Sequence, residues 1–341
     1  MIDIVNCPSN LAEGYSTYSP KARRAVFDGR KISHLLDFNV DEFRTAGELA
    51  EAMHRISVSG VQEKFPAVLK DSRIRIAGDD DRSTHILKPA PWDRTLLERK
   101  QIPANENLTM QIASQVYGIK TAENGLCFTP KGEIVYITKR FDILPDGSKL
   151  PMEDFASVLG RNEQEDGKHF KYSGCYEDIA VAIRKNVSAW RVDMERFFDL
   201  VVFNYIYANG DDHLKNFSLI LDEEDYRLAP AYDLLNTSIH INGDDLGLDG
   251  GLSPHIDRSD VYERTGHPCR LDFERFGARI GLLESRVARI LNKYMLLPEA
   301  SSDLVRRSFL SEKARRHYLR IVNERIARFT RTSDCAIHAF L

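Results

Sequence analysis

Apolar positions along this chain follow one rule before residue 145 and another after it. In the first stretch, β-branched and aromatic residues alternate with polar ones over residues 65–70, 73–76, 84–88 and 133–138, which predicts short strands. One helix interrupts them over residues 105–117, where Leu108, Ile112, Ala113 and Val116 recur at helical spacing and Gly118 is placed to end it. Beyond the turn Leu144-Pro-Asp-Gly-Ser148 the spacing becomes helical, most clearly over 176–184, 194–208 and 272–297. In the last of these, Phe273, Phe276, Ile280, Leu283, Val287, Ile290 and Tyr294 step by three and four, which predicts one continuous core-packed helix. Residues 194–208 are apolar nearly all round and read as a buried helix leading into Asn209-Gly210. The expectation is an α+β chain of two lobes, β-rich over 1–143 and mainly helical over 144–341.

Composition narrows the class. At 341 residues with 43% hydrophobic content there is room for two cores, and no repeat or low-complexity segment is visible. No apolar run approaches the roughly 18 residues of a membrane helix, and the N-terminus lacks a signal-peptide pattern. The five cysteines are scattered with no CxxC pair, so neither a disulfide framework nor a zinc site is indicated and a cytoplasmic location is expected. Net charge is −4, against indiscriminate nucleic-acid binding, yet residues 304–331 hold nine Lys or Arg against Glu312 and Glu324. That tract reads as a basic helix with a solvated face and an apolar stripe through Tyr318, Ile321 or Val322, Ile326 and Phe329.

The densest chemistry lies in Asn209-Gly-Asp-Asp-His-Leu-Lys-Asn-Phe-Ser218, followed by Asp233 in Leu228-Ala-Pro-Ala-Tyr-Asp-Leu-Leu235. Phosphoryl transfer needs a carboxylate to take the proton of the attacking hydroxyl, plus an amide oxygen and a second carboxylate to hold Mg²⁺ on ATP. Asp211, Asn216 and Asp233 suit those posts. Asp211 is preferred to Asp212 because it stands two before His213 and five before Asn216. His213 is either a proton shuttle or a scaffold that also meets nucleotide, and Lys215 joins the catalytic group. A zinc site is disfavoured, since His213 has no second His at helical spacing, and oxygen ligands suit Mg²⁺ better.

Upstream, Ser57-Val-Ser-Gly-Val-Gln-Glu-Lys64 is a small-residue turn before the first strands, where backbone could fold over phosphates. Lys88 ends a strand and could reach ATP phosphates while pairing with Glu106 on the one helix of this lobe. Lys139, Arg140 and Phe141 close the last strand, at the position of an adenine-binding hinge. The segment Asn242-Gly-Asp-Asp-Leu-Gly-Leu-Asp-Gly-Gly251 has the acids of a Ca²⁺ loop without the closing Glu, and reads as a mobile part of an activation segment.

Six motifs in order, Ser57 to Lys64, Thr84-His-Ile-Leu-Lys-Pro89, Asn105-Glu106, Arg140-Phe-Asp142, Asp211 to Ser218 and Tyr226-Arg-Leu-Ala-Pro-Ala-Tyr-Asp233, resemble those of the HipA family of bacterial toxin-antitoxin kinases. The resemblance runs from about residue 14 to 330 and implies a bilobal protein-kinase-like fold. It implies Asp211 as base, Asn216 and Asp233 as Mg²⁺ ligands, Lys88 on ATP, and Val61, Gln62, Glu63 and Lys64 over the phosphates. With 56 residues before the serine loop, the chain is most similar to the shorter HipT-type kinases. That implies autophosphorylation at Ser57 or Ser59, a HipB-like DNA-binding antitoxin, a small HipS-like partner, and an aminoacyl-tRNA synthetase as substrate. Other readings are a small-molecule or lipid kinase, whose loops share Asp-x-His-x-x-Asn, and a non-catalytic module that binds DNA or an antitoxin through residues 304–331.

Overall fold

The computed structural model describes residues 4–40 and 63–332, so Ser57, Ser59, Val61 and Gln62 lie outside the described residues. The chain divides into two units: Met1–Leu150 with Ile239–Ile241 and Ala300–His317, and Pro151–Ser238 with Asn242–Glu299 and Tyr318–Leu341.

The first unit begins with α1 (Pro20–Phe27), whose N-terminus is capped by the Ser19 hydroxyl accepting from the Ala22 N–H at 3.2 Å. Five strands follow, β1 (Phe65–Lys70), β2 (Arg73–Ile76), β3 (His85–Pro89), β4 (Asn124–Phe128) and β5 (Ile134–Lys139), with α2 (Ile102–Gln115) between β3 and β4. They form one antiparallel sheet in the order β2-β1-β3-β5-β4. Side chains alternate across a strand, so the faces can be read off the register. Leu87, Val135 and Ile137 join Val26, Phe27 and Ile74 in one core, while Lys88 and its cross-strand partner Tyr136 point the other way. There Lys88 meets Glu106 of α2, a helix buried on nearly every side. His85 stacks on Phe27 and approaches the Val26 carbonyl at 2.8 Å, and burial pulls its pKa down to about 4, so it acts as a neutral core residue.

The second unit opens with β6 (Met152–Asp154) and two single-turn helices, α3 (Phe155–Val158) and α4 (Glu163–Asp166). Next come α5 (Tyr176–Asn186) and α6 (Trp190–Ile206), then β7 (Ser218–Asp222) and β8 (Asp225–Leu228), which pair with β6 in the antiparallel order β6-β7-β8. The near-continuous apolar surface of α6 is explained by its position: Phe197, Phe198, Val201, Val202, Phe203 and Ile206 are fully buried. The remaining helices are α7 (Asp260–Thr265), α8 (Arg270–Arg279), α9 (Glu284–Asn292), α10 (Glu299–Arg307) and α11 (Glu312–Phe329). Among the described residues no helix is long and apolar enough to cross a membrane.

Three expectations are corrected. The helix expected over 272–297 is two, α8 and α9: Gly281 takes a left-handed φ of +84°, which ends α8, and Leu283 is 70% exposed instead of sitting in the core. The two helices then pack so closely that a methyl group at Gly277 would lie 2.5 Å from Val287 Cγ2. The basic tract 304–331, expected as one helix, is likewise broken, by residues 308–311, while its solvated face stands, with Arg306, Lys313, Arg316 and Arg320 mostly exposed even though paired. Arg306 pairs with Glu13 and Asp303, Lys313 with Glu98, Arg316 with Glu312, Arg320 with Glu324, and Arg325 and Arg328 with Asp245. The segment 242–251, expected to be mobile, is pinned by backbone hydrogen bonds: Asp249 N–H to the Tyr172 carbonyl, Gly250 N–H to Gly174, and Tyr176 N–H to Gly251.

Candidate functional site

Helix α6 delivers the chain into the loop at 209–218 through Tyr207 and Ala208, the latter in left-handed backbone at φ +55°. Thr237 stitches this exit down. Its hydroxyl accepts from the Gly210 N–H at 2.9 Å and donates to the Ala208 carbonyl at 3.0 Å, and its own N–H bonds the same carbonyl at 2.9 Å. Because Thr237 stands four residues past Asp233, the loop and the Asp233 segment are fastened to each other. Asp233 itself takes a left-handed φ of +56°, an uncommon conformation for a side-chain-bearing residue and a mark of local constraint.

The two adjacent acids have opposite surroundings. Asp212 is fully buried, accepting from the Asn204 side chain at 3.1 Å and from the Gly247 N–H at 3.0 Å, and Gly247 N–H also approaches the Tyr176 hydroxyl at 3.0 Å. Burial pushes its pKa up to about 7, against the bonds from Tyr176, Asn204 and Gly247, which pull it down. Here glycine serves close approach: a methyl group at Gly247 would lie 2.5 Å from Asp212 Oδ1 and 2.7 Å from its backbone nitrogen. Asp211 keeps 19% of its side chain exposed. Its carbonyl accepts from Asn216 Nδ2 at 2.7 Å and from the His213 N–H at 2.9 Å, closing the loop as a tight turn. That bond commits Asn216 through its amide nitrogen, and the amide oxygen is of the type a hard cation takes.

His213 is buried, its Nε2 lies 3.9 Å from Asp211 Oδ1, and the Tyr172 ring stands edge-on to it at 5.1 Å. The Tyr172 hydroxyl donates to Asp211 Oδ1 at 2.7 Å. Lys215 is directed elsewhere: its ammonium bonds Asp154 Oδ2 at 2.8 Å, where Asp154 also caps α3. Asp211, His213 and Asn216 are thus brought together and the Lys215 side chain is not. Tyr172, Tyr176, Asn204 and Thr237 escaped the sequence reading. No motif marks them, since each reaches the loop through tertiary packing.

In the first unit, Lys88 Nζ donates to Glu106 Oε1 at 2.7 Å, with 4% and 1% of the two side chains exposed. The ammonium also stands 5.4 Å from the centre of the Tyr136 ring, a cation-π arrangement. The segment after β5 is internally braced: Arg140 grips Asp142 through Nε at 3.0 Å and Nη2 at 2.6 Å and donates to Ser83, while Lys139 pairs with Asp28. These two cations therefore serve the fold with their side chains, and their backbone N–H groups are bonded to the Glu123 and Thr84 carbonyls at 2.8 and 2.9 Å. Glu63 is half-buried and Lys64 exposed at the entry to β1. Among the described residues no group of three or more His, Cys, Asp or Glu side chains is arranged to hold a metal.

A family model described as the HipA-like C-terminal domain matches residues 56–299. A protein of Sinorhizobium fredii named "Putative kinase Y4mE" is 29% identical over 198 residues, covering 54% of this chain and 43% of its own length. A Haemophilus influenzae protein named "Putative kinase" is 28% identical over 240 residues, covering 68% of this chain and 66% of its own length. The matched regions thus span between two fifths and two thirds of these relatives. Among solved structures, HipA of a Shewanella oneidensis MR-1 toxin-antitoxin system, solved with HipB and operator DNA, superposes with a TM-score of 0.61. At 18% identity, over 84% of this chain and 71% of that one, the likeness identifies a protein-kinase-like α+β fold.

Proposed function

Because the chain belongs to the HipA-like C-terminal domain family, we propose that it is an ATP- and Mg²⁺-dependent serine/threonine protein kinase, the toxin of a HipBST-like toxin-antitoxin system in the cytoplasm. The observation that carries the reading is the contrast at 211–212. One acid is buried and committed to structure, while its neighbour keeps an accessible carboxylate on a turn locked by Asn216. A general base must meet the proton it removes, and of the two acids Asp211 is the accessible one.

In this reading Asp211 takes the proton of a substrate hydroxyl as the γ-phosphoryl group moves to it. Lys88, steadied by Glu106, neutralises ATP phosphates. Mg²⁺ would be held by the Asn216 amide oxygen and Asp233, where it would screen the phosphate charge. His213, wedged between Tyr172 and the loop, is a scaffold for the turn. Lys215, paired with Asp154, supports β6 rather than the reacting groups.

The partners are a HipB-like antitoxin, through which the complex meets DNA, and a HipS-like protein; the substrate is an aminoacyl-tRNA synthetase. The antitoxin is supported by the HipA neighbour, which was solved with HipB and operator DNA. Internal pairing of most cations in 304–331 speaks against a module that binds DNA by itself. Autophosphorylation at Ser57 or Ser59 would place about −1.5 to −2 charges next to bound nucleotide and inhibit it.

The test is transfer of radiolabel from ATP with Mg²⁺, by wild type and Asp211→Ala, onto the chain and onto proteins of a bacterial lysate. Label on both chain and a lysate protein, lost in the variant, is expected. Equal labelling by the variant removes Asp211 as base, and no labelling by wild type removes the kinase reading.

A further inference from the structure

The Tyr172 hydroxyl reaches out of its own segment to the loop at 209–218. It sits at the end of a single 3₁₀ turn, Phe170–Tyr172, held by the Asp249 N–H on the Tyr172 carbonyl at 3.0 Å. From there the ring reaches across 39 residues to place its oxygen 2.7 Å from Asp211 Oδ1, while its edge packs on His213 at 5.1 Å. Lys171 Nζ stands over the same ring, 5.0 Å from its centre. The ring is therefore fixed by its backbone and by two neighbours, and the hydroxyl is aimed.

We propose that Tyr172 is a positioning residue for Asp211: its hydroxyl clamps one carboxylate oxygen so that the carboxylate's remaining lone pairs face the substrate hydroxyl. A carboxylate offers about four acceptor sites, so one bond from Tyr172 restrains rotation without consuming the group. The 19% of the side chain that stays exposed is where a substrate must approach. A free aspartate on a surface turn would sample several rotamers, and each unproductive one lowers the fraction of encounters in reacting geometry. The Tyr172 anchor also ties the base to the pinned segment 242–251, through the Asp249 N–H. The inference rests on Asp211 being the base.

The experiment compares wild type, Tyr172→Phe, Asp211→Asn and the double variant, each as the full chain, by ADP release from ATP with Mg²⁺ and lysate protein as acceptor. Loss of a hydrogen bond to a charged group predicts that Tyr172→Phe lowers kcat about tenfold. KM for ATP should be unchanged, since no nucleotide-binding role is lost. In the Asp211→Asn background the same change should have no further effect, because Tyr172 acts only through the carboxylate. A Phe variant with wild-type kcat overturns the proposal, and so does one with raised kcat, which would make the hydroxyl a competitor of substrate. An additive loss in the double variant also overturns it, as the ring would then act by itself. If Asp211→Asn alone keeps full activity, or wild type releases no ADP, the underlying assignment of function has failed instead. Unfolding midpoints of all four proteins, measured in parallel, identify any loss that comes from the fold.

Discussion

Replacing Lys88 by Met tests what joins strand to helix in the first unit. Lys88 Nζ and Glu106 Oε1 lie 2.7 Å apart, almost without solvent. At an effective dielectric of about 20, two unit charges at that separation attract by roughly 6 kcal/mol. Taking each ion out of water offsets several kcal/mol of this, so the intact pair contributes little net stability. Removing one half is a different matter. Lys88→Met leaves a buried carboxylate without its cation, and Glu106→Leu leaves a buried ammonium, each at a cost of about 3–5 kcal/mol. The double variant carries no buried charge, and its loss should fall short of the sum of the singles by about 3 kcal/mol. Urea unfolding followed by tryptophan fluorescence measures this directly. Of the chain's two tryptophans, Trp92 belongs to the first unit and Trp190 to the second, so a Trp190→Phe background makes the signal specific. Single losses that add to within about 0.5 kcal/mol would show that the two charges do not depend on each other, and would refute the reasoning.

Two further outcomes follow from the buried acid and its glycine. Asp212 is pushed up to about 7 from an ordinary 3.8, so between those values the folded chain holds a proton that the unfolded chain has lost. Stability should therefore fall as pH rises through that window, by at most about 4 kcal/mol in total. Asp212→Asn should flatten the dependence of the second unit's unfolding midpoint between pH 5 and 8, whereas a slope equal to wild type contradicts the assignment. Gly247→Ala drives a methyl group into the Asp212 backbone, so phosphotransfer should be lost while the first unit's unfolding transition stays in place. Retained activity would mean that the segment 242–251 does not brace the loop.

Much of the first unit was legible because β2 alternates in sequence, β1 is a short apolar run, and a two-residue turn joins them. The break at Gly281 was not, because the apolar spacing continues across it and a stripe alone cannot tell one helix from two packed ones. Glycines at 242–251 were read as freedom. Gly247 and Gly250 are instead sites of close backbone approach, a second use of glycine that looks the same in sequence. At the loop, the spacing to His213 and Asn216 singled out Asp211 over Asp212, and the structure leaves Asp211 as the accessible acid. Tyr172 had no signal, since a side chain that arrives from 39 residues upstream follows no local period.

The grouping of residues 300–317 with the first unit bears on the order in which the protein comes into being. Asn6 bonds the Arg307 carbonyl, Phe128 packs on Phe309, Gln101 accepts from the Ser311 N–H and Glu98 pairs with Lys313. All four closures wait for chain that a ribosome emits only after the second unit's sheet and most of its helices. The unit bearing Lys88 is synthesised early but closed late, so a truncated translation product would carry the segment 209–218 while the first unit is still unclosed. Synthesis itself would then act as a timer, withholding a complete first unit until translation has passed Lys313.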